Sequence, residues 1–404
     1  MIAYPALKMV FINMPDNTNI CFENFGPVID RTQSDSIKWK RYAGKDILPM
    51  WVADMDFQVA DEITDAIKLR ADHGVLGYGS DNPELSQLIV DHCQVHYDWD
   101  IKPEWIVLTP GVVKGLNIAR AMSIENGKHS GTTALPIYPH LMKHAPILQF
   151  ENQTFHTQAQ GDSWDLDIKA FENSITNDTG LLLFCNPHNP IGKVYNRHEL
   201  QDIADVCVKH NLIICSDDVH CDLILNDKKH IPIASLNDSI ANLSITLMAP
   251  SKTFNIAGLD CAFAIIPNAD MRKQYSKLMF GLVGHVNIIG TQAATAAFKY
   301  GEPWRQKLIP YLQDNHQLIL DRVKNINGIS MRPAEATYLA WINVADLKLD
   351  HPQKYFEEYG VGMSAGSEFG DNNYVRLNFG CQRSLLAEAL DRIEKAVNQR
   401  MSEL

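Results

Sequence analysis

Four stretches of this chain place a chemically useful side chain directly after a short apolar run. Lys252, in Pro250-Ser251-Lys252-Thr253-Phe254, follows Ser244–Ala249. A lysine just beyond a buried strand is costly to keep as a cation, so its pKa is expected to fall. A neutral amine is what forms an imine with an aldehyde. Asp217 follows Leu212–Ser216, where a carboxylate could pair with a ring N–H⁺ and keep it protonated. Asn189, within Asn186-Pro187-His188-Asn189-Pro190, follows Leu181–Cys185 and could donate a hydrogen bond to a phenolate. Gly111, after Ile106–Thr109, opens a helical stretch through Val112 and Val113, whose N–H groups could hold a phosphate.

Each stretch also has a plainer reading: a helix beginning after glycine, a well-made Asn-Pro turn, a helix-capping acid, a lysine that snorkels to the surface. Their order is more specific than any one of them. Phosphate turn, asparagine, aspartate and lysine on successive strands are the parts that hold pyridoxal 5'-phosphate (PLP).

The elements that must position these groups are strands and helices in alternation. The runs named above, with Ala262–Pro267, have strand length and are apolar on both faces. That pattern suits a mostly parallel sheet between helix layers. His198–His210 puts Leu200, Ile203, Ala204, Val206 and Cys207 on one helical stripe. In an open α/β sheet, ligands bind beyond the carboxyl ends of the strands, where the candidate residues lie. After Tyr300 the pattern changes. Glu302-Pro303-Trp304 marks a break, followed by a long helical stretch, strand candidates Tyr338–Asn343 and Tyr374–Asn378, and an amphipathic helix Arg383–Val397. The expected division is an N-terminal arm (1–45, part of the small domain), a large PLP-binding domain (46–300) and a smaller α+β domain (301–404).

Composition narrows the function classes. A net charge of −12, with no cluster of lysine and arginine, argues against nucleic acid as a partner. No apolar run is long enough to span a membrane, and Pro5 and Lys8 interrupt Met1–Asn13, which reads as an arm and not a signal peptide. The eight cysteines are scattered without a CxxC pair, as expected of reduced thiols in a cytoplasmic protein.

Longer motifs carry a family resemblance. Met50-Trp51-Val52-Ala53-Asp54-Met55-Asp56-Phe57, Cys185–Gly192, Ser216–Leu223 and Ser251–Leu259 together resemble fold-type-I PLP enzymes of the class I/II aminotransferase superfamily. Within them the chain is most similar to the cystathionine β-lyase-like C–S lyases, over almost its whole length from about Met50. The resemblance implies the aspartate-aminotransferase-like α/β fold. It also implies that Lys252 is the Schiff-base lysine and the base that removes the Cα proton, and that Asp217 partners the pyridinium nitrogen. Asn189 and His220 then neighbour the ring 3-oxygen, and Tyr138 stacks on the ring. Gly111, Val112, Val113 and Ser251 form the phosphate cradle, while Arg376, with Ala53 and Asn189, binds substrate. Tyr78, in Gly77-Tyr78-Gly79, corresponds to a tyrosine lent to the neighbouring subunit's phosphate, which implies a homodimer.

Two positions depart from the pattern. Many relatives carry an arginine eight residues after the lysine, where this chain has Asp260; its side chain is expected to turn away from the phosphate. Asp218 replaces a glutamate, a change expected to be silent. Cys207, His210, Cys215, His220 and Cys221 match no common zinc spacing, so no metal is expected. His140, His144 and His285 read as structural, and Lys114 and Lys193 receive no role.

The resemblance implies a C–S β-lyase acting on cystathionine or related S-substituted cysteines, releasing a thiol, pyruvate and ammonia. An aminotransferase uses the same lysine, aspartate and arginine and is the alternative. A non-enzymatic regulator that retains the fold would need an added DNA-binding domain, for which the first fifty or so residues leave no room.

Overall fold

The computed structural model describes residues 25–143 and 145–404. Met1–Asn13 and His144, both assigned above, lie outside the described residues, as does Cys21, one of the eight cysteines. Eight strands form the main sheet: β1 (Ile106–Thr109), β2 (Ser130–Leu135), β3 (Glu151–Gln160), β4 (Ser163–Leu166), β5 (Thr179–Cys185), β6 (Ile213–Asp217), β7 (Ser244–Met248) and β8 (Ala262–Ile265). Their order is β1-β8-β7-β6-β5-β2-β3-β4. The β3-β2-β5-β6-β7 pairings are parallel, while β8 runs antiparallel to both β7 and β1, and β4 antiparallel to β3.

Side-chain alternation along β5 explains why helices cover both faces. Leu181 and Leu183 join Leu116 and Ala119 of helix α1 (Val112–Glu125) in one core. Leu182 and Phe184 point the other way, into Leu200, Ile203 and Cys207 of helix α2 (Arg197–His210). Every residue of β5 is buried, and each large apolar side chain so covered contributes roughly 1.5–3 kcal/mol. A capping box starts α2: Asn196 accepts from the Glu199 N–H while Glu199 accepts from the Asn196 N–H.

A second sheet, antiparallel throughout, has the order β9-β10-β12-β11, from β9 (Ser330–Met331), β10 (Leu339–Asn343), β11 (Ser364–Ala365) and β12 (Tyr374–Asn378). Helices α3 (Glu302–Lys324) and α4 (Arg383–Glu403) cover it with Leu312, Ile319, Leu386, Leu390 and Ile393. The same core takes in Met50, Met55 and Phe57, so the segment read as the start of the large domain packs on the second sheet's core. We propose 46–300 and 301–404 as the two domains, with that segment bridging them.

Candidate active site

The carboxyl ends of β1, β5, β6 and β7 and Arg376 of the second sheet's β12 meet at a pocket of about 240 Å³. Lys252 projects into it from the turn after β7. Its Nζ donates to the Ala53 carbonyl at 2.6 Å, and Tyr338 Oη donates to the same oxygen at 3.0 Å. Desolvation pulls the Lys252 pKa down to about 8, with Arg376 adding to the fall and Asp54 and Asp217 opposing it.

The segment that presents Ala53 is pinned from both sides. Asn255, three residues beyond Lys252, exchanges hydrogen bonds with Met55 and donates to the Phe57 carbonyl at 2.9 Å. Asn378, two residues beyond Arg376, donates to the carbonyls of Val52 and Asp54 at 2.6 and 2.7 Å. Buried Asp56 anchors the far end, accepting from Arg31, Lys38 and Trp39 at 2.6–2.9 Å. The charge of Lys38, the Trp39 hydrogen bond and the charge of Arg31 hold its carboxyl below the usual range despite burial.

Asp217, at the end of β6, is buried and accepts from the Val219 N–H at 3.2 Å. Burial pushes its pKa up to about 7, against the Val219 hydrogen bond, and neighbouring Asp218 raises it further. His220 is buried beside it with Nδ1 lacking a partner, and burial drives its pKa well down, so the ring is neutral. Tyr138 lines the same pocket, and desolvation lifts its phenol to about 12.

Arg376, on β12, donates through Nη1 to Asn189 Oδ1 at 3.0 Å and through Nη2 to the Trp51 carbonyl and Ser364 Oγ at 2.9 and 3.3 Å. Its guanidinium lies 4.5 Å over the Phe369 ring, and its Nε is buried without a partner. The Asn189 turn is braced by His188, whose ring nitrogens contact Tyr195 Oη and the Pro136 carbonyl at 2.7 and 2.8 Å.

Gly111, Val112, Val113 and Ser251 line the pocket's other end. Gly111 has φ +105, which suits glycine alone, and α1 begins there without a side-chain cap, so its first N–H groups have no side-chain acceptor.

The pocket therefore gathers Lys252, Asp217, Asn189, His220, Tyr138, Arg376, Ala53, Ser251 and the glycine turn. Tyr78 is not among them: its side chain is fully exposed, at 107%. Two expectations need correction. Asp260 does not turn away; it lines the pocket, because Leu259-Asp260 ends a 3₁₀ turn in the left-handed conformation (φ 49) and Lys114 Nζ holds its Oδ1 at 3.1 Å. Lys114, given no role from sequence, is accordingly a pocket residue. Asp218 is fully buried and accepts from His230 Nε2 at 2.8 Å and from Ser216 Oγ. Lys193 is buried against Glu199 at 2.5 Å, away from the pocket lining. The lysine motif's Asn255 and the strand's Asn378 were the legible signals for the pinned segment, but their partners were not.

These features suit PLP. An uncapped helix start at a glycine turn, a buried carboxyl whose pKa is pushed up to about 7, and the buried, unpartnered nitrogens of His220 and Arg376 are groups that such a cofactor could satisfy. Comparison with known proteins agrees. The profile of the aminotransferase class I and II family matches residues 45–393, and the chain belongs to that family. It is 33% identical to cystathionine β-lyase PatB of Bacillus subtilis (strain 168) over 93% of this chain and 100% of that protein. Among solved structures, OvoB is 42% identical with a TM-score of 0.88, covering 91% of this chain and 97% of that one. The PLP-bound C–S lyase from Staphylococcus hominis is 27% identical with a TM-score of 0.85, covering 93% and 98%.

Proposed function

We propose that the protein is a PLP-dependent C–S β-lyase that converts cystathionine or a related S-substituted cysteine, with water, to a thiol, pyruvate and ammonia. The observation that carries this reading is Lys252, an amine with its pKa near 8, set between Asp217 and Arg376 in one pocket of a chain related to cystathionine β-lyases.

PLP supplies the aldehyde for the substrate amine and the electron sink that makes the Cα proton removable. Lys252 would hold the cofactor and serve as the base for that proton. Buried Asp217, made anionic by a facing cation, would keep the ring nitrogen protonated. Asn189 would donate through Nδ2 to the ring oxygen, since its Oδ1 is taken by Arg376. Arg376 would hold the substrate carboxylate with its guanidinium. That would orient the substrate with the Cβ–S bond placed to break and the sulfur to depart as a thiolate.

The active unit is a homodimer in this reading. Tyr78 stands fully exposed between Leu76 and Ser80, and Val75 and Leu76 expose apolar surface beside it, which supports a partner chain on this face. A cytoplasmic location is supported by the seven described cysteines, all free and buried. Among the described residues no helix is long and apolar enough to cross a membrane.

The test is to incubate PLP-loaded protein with L-cystathionine and no keto acid. Sustained, stoichiometric release of pyruvate and free thiol establishes the lyase. Conversion of the cofactor to its pyridoxamine form, with turnover waiting on an added keto acid, would make it an aminotransferase.

A further inference from the structure

We infer that Lys114 supplies the cation for the cofactor phosphate in place of the arginine that relatives carry at position 260, and that Asp260 is the residue that positions it. The inference rests on PLP binding in this pocket.

Three observations converge on the pair. Lys114 Nζ and Asp260 Oδ1 stand 3.1 Å apart across the mouth of the pocket, and both line it. Both also lie against the glycine of the anion cradle: a Cβ on Gly111 would stand 3.1 Å from Asp260 Oδ1 and 3.3 Å from Lys114 Nζ. The ammonium is thus about one methyl group's width from the backbone that holds the phosphate.

The third observation is electrostatic. Lys114 lies in the first turn of α1, which carries no acidic residue. A cation there opposes the helix dipole, whose positive end it shares, so the position is unfavourable unless an anion sits beside it. Asp260 supplies one negative charge, and a phosphate supplies about two.

Charge balance in the pocket leads to the same assignment. Of the cations that line it among the described residues, Lys252 is committed to the cofactor aldehyde and Arg376 to the substrate carboxylate, leaving Lys114 at the phosphate end. Without it, the phosphate would meet the Asp260 carboxylate with only N–H dipoles and a hydroxyl to offset the repulsion. With it, Asp260 becomes the clamp that stops a flexible four-carbon side chain from swinging into solvent. An arginine at position 260 would reach the phosphate directly; here the charge comes from the neighbouring strand–helix turn, and the residue at 260 holds it.

A purely neutralising role for Lys114 makes a different prediction, so the test uses a cycle. Apoprotein of wild type, Lys114→Ala, Asp260→Asn and the double variant is titrated with PLP and with pyridoxal, which lacks the phosphate. The visible absorbance of bound cofactor is followed, and the ³¹P resonance of bound PLP is recorded. Lys114→Ala is expected to weaken PLP about tenfold or more, to leave pyridoxal unchanged, and to shift the ³¹P resonance. The double variant is expected to bind PLP about tenfold more weakly than wild type, because the ammonium is lost from the phosphate itself. Wild-type PLP binding by the double variant would overturn the inference, since Lys114 would then serve only to neutralise Asp260. Unaltered PLP binding by Lys114→Ala, or equal weakening of PLP and pyridoxal, would overturn it as well. Wild-type protein that takes up neither compound would sink the PLP reading itself, whereas normal wild-type uptake confines any failure to Lys114.

Discussion

Arg376 Nη1 donates to Asn189 Oδ1 at 3.0 Å, so a strand of the second sheet and a turn of the first are joined by one hydrogen bond at the centre of the pocket. The bond decides the orientation of the Asn189 amide: with the oxygen occupied, the NH₂ group is the end available to a bound ring oxygen. In the proposed mechanism it also ties the substrate-binding arginine to a residue beside the cofactor.

Asn189→Asp tests that coupling. A carboxylate at 189 would form an ion pair with Arg376, competing with the substrate carboxylate, and would remove the donor to the ring oxygen. KM for the amino-acid substrate is expected to rise about tenfold or more. Steady-state kinetics at several substrate concentrations separate this from a fall in kcat alone, and an unchanged KM would refute the coupling.

The Lys252 pKa near 8 predicts a pH profile for cofactor attachment to the apoprotein. The neutral amine is the reactive form, so attachment accelerates as pH rises. It climbs roughly tenfold per unit below about pH 8 and levels off above it, where an ordinary lysine would keep gaining to beyond about pH 10. Stopped-flow absorbance follows this directly; a rate still climbing at pH 10 would mean that the amine is not depressed.

Asp217→Asn keeps the shape of the side chain and removes its charge. Burial already lifts Asp217 to about 7, so its ionisation depends on a cation facing it, and the amide cannot provide that partner. Turnover is expected to fall about a hundredfold or more, with the cofactor still attached through Lys252 and visible by absorbance. Activity within a few-fold of wild type would remove Asp217 from the electron-sink role.

The buried Asp218–His230 pair, 2.8 Å apart, underlies the turn that carries Asp217 and His220. His230→Ala leaves the fully buried Asp218 with Ser216 Oγ but without its imidazole partner, and the expected cost is about 3 kcal/mol. Denaturant unfolding of the apoprotein measures it as a lower midpoint with an unchanged slope.

The exposed position of Tyr78 predicts complementation between defective chains. Lys252→Ala and Tyr78→Ala proteins, unfolded together and refolded, would form hybrid dimers in which one site has both an intact lysine and the partner's intact tyrosine. Lyase activity at limiting PLP is expected to exceed that of either parent. A mixture no more active than the parents would place Tyr78 outside the neighbouring site.

Much of this architecture was legible along the chain. The apolar runs at Ile106–Thr109 and Tyr374–Asn378 coincide with β1 and β12, and those ending near Cys185, Ser216 and Ala249 with β5, β6 and β7, to within two residues at each end. The stripe on α2 is buried as its spacing predicted, from Leu200 to Cys207. These features are local: a strand buried on both faces must be apolar throughout, and a functional residue at its carboxyl end follows it directly in sequence. Lys252, Asp217 and Asn189 could therefore be singled out from the sequence alone.

What the sequence could not specify are the contacts set by strand order and by the meeting of the two sheets. Lys114 and Asp260 are 146 residues apart and meet because β8 lies beside β1. Ala53 accepts from Lys252 across 199 residues because Asn255 and Asn378 pin its segment against both loops. Arg376 reaches Asn189 across 187 residues because β12 faces the end of β5. Hydrophobic period records which face of an element is buried, but not which neighbour buries it. Residue types and their order along the chain thus marked out the cofactor chemistry, while tertiary packing alone decided which carbonyl receives the lysine, which way Asn189 points, and which cation Asp260 holds.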